Sequence, residues 1–259
     1  MTRLACVYVF VLVICSASLS AQNHPASDPQ AVTYAVRSIA AMSGHAAITD
    51  VRLTANITWL PGPELEAGSG ILLAKGTSSS RIDLTLDGGG KRTEIRNNFR
   101  GPHGKWINPD GKSGDYPLHN CWTDAAWFFP ALSSLGNVGD PHFVFSYIGE
   151  ETWNGLSARH LRVYRLRQGM EDAQRLSTMD FYLDPSSLLL LGLTYNTHPD
   201  KNMNVNLLSE VLFADYKVVD GVQVPFRIEQ LRRGALLMDI TVSSVSFNTG
   251  VSDASFDTH

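Results

Sequence analysis

The sequence predicts a mainly β protein of the α+β kind, in which one large curved antiparallel sheet carries helices against its concave face. Three observations lead there. Apolar residues recur at every second position through most of the chain, the mark of strands with one buried face. Helical spacing is confined to two segments, near 28–44 and 121–136, too few to alternate with the strands as a parallel sheet requires. No repeat, coiled coil or linker-like stretch divides the chain, so residues 21–259 are expected to form a single domain.

The opening MTRLACVYVFVLVICSASLSAQNHP has one early arginine, Arg3, an apolar run to Ile14 and small residues from Cys15 onward. This is the layout of a signal peptide over residues 1–20, and the run is short for a permanent membrane span. Cleavage after Ser20 puts the small Ser18 at the third position before the cut, where cleavage after Ala21 would put Leu19. Lipidation at Cys15 is disfavoured by the bulky Ile14 before it. The mature chain is therefore expected outside the cytoplasm, as a secreted and periplasmic protein. Removing residues 1–20 takes away Arg3, Cys6 and Cys15, which moves the formal charge from −4 to −5 and leaves Cys121 as the single cysteine, so no intrachain disulfide can form. A mildly acidic chain without a basic run argues against a nucleic-acid partner.

Asp28-Pro29, followed by Ala31, Val32, Ala35, Val36, Ile39 and Ala40, reads as a helix with an N-cap, a proline in its first turn and a stop at Gly44. From Ile48 the period changes to two. Val51, Leu53, Ala55, Ile57 and Trp59 alternate with Arg52, Thr54, Asn56 and Thr58, a half-buried strand. Further strands are expected near 70–77, 80–87 and 91–97. Residues 98–120 are dense in glycine, proline, asparagine and aspartate and read as two short strands with long turns.

CWTDAAWFFPALSSLG, residues 121–136, is expected to be a short helix kinked or split at Pro130. Its Trp122, Trp127, Phe128 and Phe129 offer more apolar surface than a short helix needs, which fits a core plug and a cavity lid equally. Beyond it, strands are expected at 142–150, 158–168, 175–184, 188–196, 203–218, 222–233 and 236–248. Arg159, Arg162, Arg165 and Arg167 form a basic stripe on a strand, read as a solvated edge ahead of a surface that greets an anionic head group.

The stretch DYKVVDGVQVPFRI contains a hairpin. A three-residue loop, Val219-Asp220-Gly221, would pair Val218 with Val222 and set Leu212, Ala214 and Tyr216 beside Val224, Phe226 and Ile228, with Gly221 on the left-handed position of a bulge. Pro225 then calls for an edge or bulge position.

Catalytic and metal-binding patterns are weak. The histidines show no spacing that would place two metal ligands on one helix face, and no Gly-x-Ser-x-Gly occurs. Asp110-Gly111-Lys112-Ser113 imitates the end of a phosphate loop, but Trp106 stands where its first glycine belongs. Asn108, Asp110 and Asp115 lack the closing glutamate of a calcium loop. No enzyme, catalytic residue, metal or cofactor is therefore expected.

Phe181-Tyr182-Leu183-Asp184-Pro185, then Asp215-Tyr216, Val219-Asp220-Gly221-Val222 and Val224-Pro225-Phe226, and a last strand ending Val245-Ser246-Phe247-Asn248 ahead of Phe256, resemble the LolA/LolB-like outer-membrane lipoprotein carriers and their envelope relatives. The order of elements resembles that group over most of the mature chain. The resemblance implies an open half-barrel of about eleven strands, capped by the N-terminal helix and a helical lid, with an apolar cavity for acyl chains.

It implies a monomer that shelters a lipid or the acyl chains of a lipoprotein, with an envelope protein as a further partner. The residues expected to face that ligand are Val51, Leu53, Ile57 and Trp59 from the first strand, Trp122, Trp127 and Phe129 from the lid, and Tyr216, Val224, Phe226 and Ile228 from the hairpin. Two rivals stand beside it. An interaction or sensor module would have a filled cavity, and a hydrolase would gather His, Asp and Ser from distant strands into one cleft.

Overall fold

Asp28 sets where the described chain first becomes regular. Its carboxylate accepts the Gln30 N–H at 2.7 Å, Pro29 occupies the first helical position, and helix α1 spans Pro29–Ser43. It ends where Gly44 turns to φ 61°, a conformation that glycine adopts without a Cβ penalty. The structure, a computed structural model, describes residues 25–44, 46–60, 65–98 and 101–258. The expected signal peptide lies outside the described residues.

Thirteen strands follow among the described residues: β1 (Asp50–Trp59), β2 (Glu66–Lys75), β3 (Ser79–Leu86), β4 (Lys91–Asn97), β5 (His103–Ile107), β6 (Ser113–Asp115), β7 (Phe143–Trp153), β8 (Leu156–Arg165), β9 (Met179–Leu183), β10 (Leu190–Thr197), β11 (Leu207–Val219), β12 (Val222–Arg232) and β13 (Ala235–Phe247). They form one antiparallel sheet in the order β6-β5-β4-β3-β2-β1-β13-β12-β11-β10-β9-β8-β7. Every pair of neighbouring strands is consecutive in sequence except at the β1–β13 seam, which joins the two runs through pairs from Val51↔Phe247 to Trp59↔Met238. β6 and β7 do not pair, so the sheet stays open. The expected curved antiparallel sheet with an N-terminal helix is present, with thirteen strands where the resemblance implied about eleven.

Period-two alternation decides what each face buries. Val51, Leu53 and Ile57 of β1 join Leu72, Ile82, Ile228 and Ile240 in the main core, against which α1 and residues 121–136 pack. A smaller cluster of Leu73, Ile95 and Phe256 sits on the opposite face, beneath the 3₁₀ helix Asp253–Phe256.

Four expectations are corrected. Residues 121–136 do not form a helix: turns lead into two short 3₁₀ helices, Pro130–Leu132 and Ser134–Gly136. Pro130 cannot donate into a helix, and the Asp124 carboxylate takes the Ser134 N–H at 2.7 Å. Every residue from 121 to 130 is buried, so packing overrides the local pattern. A second helix, α2 (Asp172–Ser177), occupies the start of the expected strand 175–184. Its end is marked by Ser177 and Thr178, whose hydroxyls donate to the carbonyls of Ala173 and Gln174 at 2.6 and 2.8 Å.

The third correction is the hairpin. Val219 pairs with Val222 across a two-residue Asp220-Gly221 turn, with φ of 49° and 83° at the two positions, as a type I′ turn needs. The buried residues upstream are Val211 and Phe213 rather than Leu212 and Ala214. Alternation is interrupted at Asp215, which takes φ 55°, so Lys217 escapes burial and lies over the Phe226 ring at 4.1 Å. Pro225 lies in the part of β12 beyond its pairing with β13, which starts at Arg227↔Thr241.

The fourth concerns the arginines. β8, which carries Arg159, Arg162 and Arg165, is an interior strand between β7 and β9, and these three are partly buried against partners, whereas Arg167 lies beyond the strand and is exposed. Arg159 meets Glu150 at 3.1 Å and Arg162 meets Asp180 at 2.8 Å, while Arg165 and Arg167 lie 5.5 and 5.6 Å from the Trp122 ring.

Candidate functional site

α1 and residues 121–136 cover one end of the concave face and leave the other end open. There the end of β1, the start of β13, the end of β12, the start of β11, the end of β10 and the inward face of β4 surround a cavity of about 480 Å³. That size falls within the range of small-molecule pockets. Its apolar wall is Trp59, Leu60, Trp127, Leu207, Leu237 and Met238. Trp59 and Met238 are a cross-strand pair, so the two side chains stand side by side on the inward face.

The opposite wall comes from β4, whose polarity is inverted. Ile82 pairs with Glu94 and Leu84 with Arg92, which places Arg92, Glu94 and Arg96 on the core-facing side, while Ile95 joins the small cluster on the other face. Arg92 is neutralised by Glu94 and donates to Asn108 Oδ1, and its guanidinium lies 4.6 Å from the Trp59 ring centroid. Tyr116, beside this pair, has its hydroxyl pKa pushed well up by burial and by Glu94, so it remains protonated.

Arg96 is differently placed. It donates to the backbone carbonyl of Asn120 and to Thr123 Oγ1, the latter at 3.2 Å. Among the described residues its hydrogen-bond acceptors are neutral, and it forms no ion pair with a carboxylate. The same Asn120 clamps His198: its Nδ2 donates to the His198 carbonyl and its Oδ1 accepts the His198 N–H, both at 2.8 Å. His198 Nδ1 stands 3.0 Å from the Val205 carbonyl, so the proton belongs on Nδ1. Nε2 is then a buried acceptor without a partner among the described residues. Burial, followed by the Arg175 and His119 charges, outweighs the Val205 hydrogen bond and lowers the His198 pKa, so the ring is neutral at neutral pH.

Of the residues expected from sequence to face a ligand, Trp59 and Trp127 line this cavity. Val51, Leu53, Ile57, Phe129, Val224 and Ile228 lie in the packed core, and Tyr216 and Phe226 pack against it, half-buried. Tyr216 also donates its hydroxyl to the Leu190 carbonyl at 2.7 Å. Trp122 belongs to a separate cluster with Ala173 and Leu176 of α2. Arg92, Arg96, His198 and Gln230 were not singled out from sequence. The usable signal was Arg92, Glu94 and Arg96 at alternate positions of one strand, a charged row that a half-buried strand must place on one face.

Comparison with protein-family models gives no match, nor does comparison with curated proteins. Solved structures do match in fold. A DUF1329 family protein from Desulfovibrio piger is similar with a TM-score of 0.56 at 16% identity, over 88% of this chain and 96% of that one. A LolA superfamily protein from Nitrosomonas europaea gives 0.56 at 10% identity, over 88% and 97%. A structure described as an outer membrane lipoprotein-sorting protein domain, from Vibrio parahaemolyticus, gives 0.55 at 12%, over 88% and 96%. The open antiparallel sheet wrapped around an N-terminal helix is therefore a LolA-like fold.

Proposed function

We propose that this protein is a single-domain, extracytoplasmic binding protein without catalytic chemistry, which shelters one hydrophobic chain of a lipid or an acylated protein. The observation that carries this reading is the open end of the concave sheet, where a cavity of about 480 Å³ sets Trp59, Trp127 and Met238 opposite a charged strand. Two of the similar folds bear descriptions that name lipoprotein sorting or the LolA superfamily, and the sequence begins with the layout of a secretory signal.

The mechanism is physical. Chain methylenes leave water against the apolar wall, worth about 0.8 kcal/mol each, and no bond is made or broken. Trp127 belongs both to the cavity wall and to the buried segment 121–136, so movement of that segment would lengthen the groove toward Phe129. An interaction module with a filled concave face is the second reading. It is favoured by the zero exposure of Phe128 and Phe129, which shows the inner half already packed. Titration with a fluorescent fatty acid separates the two: saturable uptake displaced by unlabelled dodecanoate supports the carrier, and absence of uptake supports the filled module.

A further inference from the structure

The charges of the cavity narrow the ligand class, an inference that rests on the carrier reading above. Arg92 is paired with Glu94, whereas Arg96 has only neutral acceptors among the described residues. Glu94 and Asp124 act on Arg96 through space but neither touches it, so a ligand that brings anionic oxygens into direct contact gives this enclosed guanidinium the close partner that it lacks. Arg232 lines the same cavity from an exposed position at its rim, with Asp200 as the rim acid. Counting Arg92, Arg96 and Arg232 against Glu94 and Asp200 leaves the cavity positive, in a chain whose formal charge is −4.

A second observation is independent of these charges. His198 lines the cavity and is 3% exposed, and its Nε2 has no hydrogen-bond partner among the described residues. With the proton on Nδ1, Nε2 can be satisfied only by a donor. Asn120 ties the two features together, accepting from Arg96 through its carbonyl and holding His198 through its amide.

We infer that the cavity takes a single-chain amphiphile whose head carries anionic oxygens together with an O–H donor, as a monoprotonated phosphate monoester does. The anionic oxygens meet the Arg96 guanidinium, whose fork suits them, and the O–H is donated to His198 Nε2. The chain runs along Trp59 and Met238. A carboxylate satisfies Arg96 alone, and an alcohol satisfies only His198.

Calorimetric titration with dodecyl phosphate, dodecanoate and 1-dodecanol, each below its micelle concentration and at about pH 6 where half of the phosphate monoester keeps its proton, tests this. The expected order is phosphate, then carboxylate, then alcohol, with phosphate at least about tenfold tighter than alcohol. Arg96→Gln, with its folding checked by thermal unfolding, is expected to reduce dodecyl phosphate to the affinity of the alcohol. Arg232→Gln, at an exposed site that folding does not need, is expected to weaken the phosphate a few-fold and leave the alcohol unchanged. Equal binding of all three probes overturns the head-group inference and leaves the carrier reading standing. Dodecanoate equal to dodecyl phosphate overturns the role of His198, and binding of none overturns both readings.

Discussion

The Arg92 guanidinium stands 4.6 Å from the ring centroid of Trp59, and this contact is where the charged wall of the cavity meets its apolar wall. Trp59 is the last residue of β1 and only half-buried, so its truncation is expected to affect binding more than folding. Trp59→Ala should weaken dodecanoate about five- to thirtyfold, as loss of about 1–2 kcal/mol of aromatic contact implies. Displacement of a fluorescent fatty acid measures it, and unchanged affinity would place the chain elsewhere.

Phe129 has zero exposure in the main core and faces Phe247 across 6.0 Å. Phe129→Ala is expected to cost about 3–5 kcal/mol of stability, read from the urea midpoint. A fully stable variant would mean that residues 121–136 are a loosely seated lid rather than a plug.

Asp124 gives the fold a pH dependence of known sign. Burial, opposed by its hydrogen bonds from Ser134, raises its pKa from 3.8 to about 6. The folded chain then holds this proton more tightly than the unfolded chain, so the contribution of Asp124 to stability falls as pH rises from about 4 to about 6 and stays low above that. Asp124→Asn removes the penalty and can still accept the Ser134 N–H. The stability gained by the variant should be about 2 kcal/mol larger at pH 7 than at pH 4.5, and urea unfolding at the two values decides it.

Gly192 tests the packing of the convex face. A Cβ there would lie 2.2 Å from a Trp153 ring carbon and 2.4 Å from the Val211 carbonyl oxygen, and Trp153 is itself stacked on Tyr182 with centroids 4.3 Å apart. Gly192→Ala is therefore expected to cost about 1–3 kcal/mol and to leave ligand affinity unchanged. A cost under about 0.5 kcal/mol, the range of ordinary surface changes, would show that β10 and Trp153 shift freely.

The sheet was legible because its signal is local. Val51 to Trp59 alternate in sequence and alternate in burial as far as Ile57, and Asp28 and Gly44 mark the ends of α1 by cap chemistry that belongs to each residue alone. Residues 121–136 misled because a segment buried on all sides has no polar face to display a period, and Asp124 hydrogen-bonds across it. The hairpin register was hidden by Asp215, whose left-handed backbone resets the faces without changing the pairing. The cavity was illegible for another reason: Trp59, Arg96, His198 and Gln230 come from four distant parts of the chain, and only the order β4-β3-β2-β1-β13-β12-β11-β10 brings them around one space.

The most direct measurement is native mass spectrometry of the mature protein purified without detergent from a cell-envelope fraction, followed by organic extraction of whatever accompanies it. A stoichiometric amphiphile is expected, present with the unaltered chain and depleted with Trp59→Ala. A protein that arrives empty, and remains empty after incubation with dodecanoate or dodecyl phosphate, would contradict the carrier function.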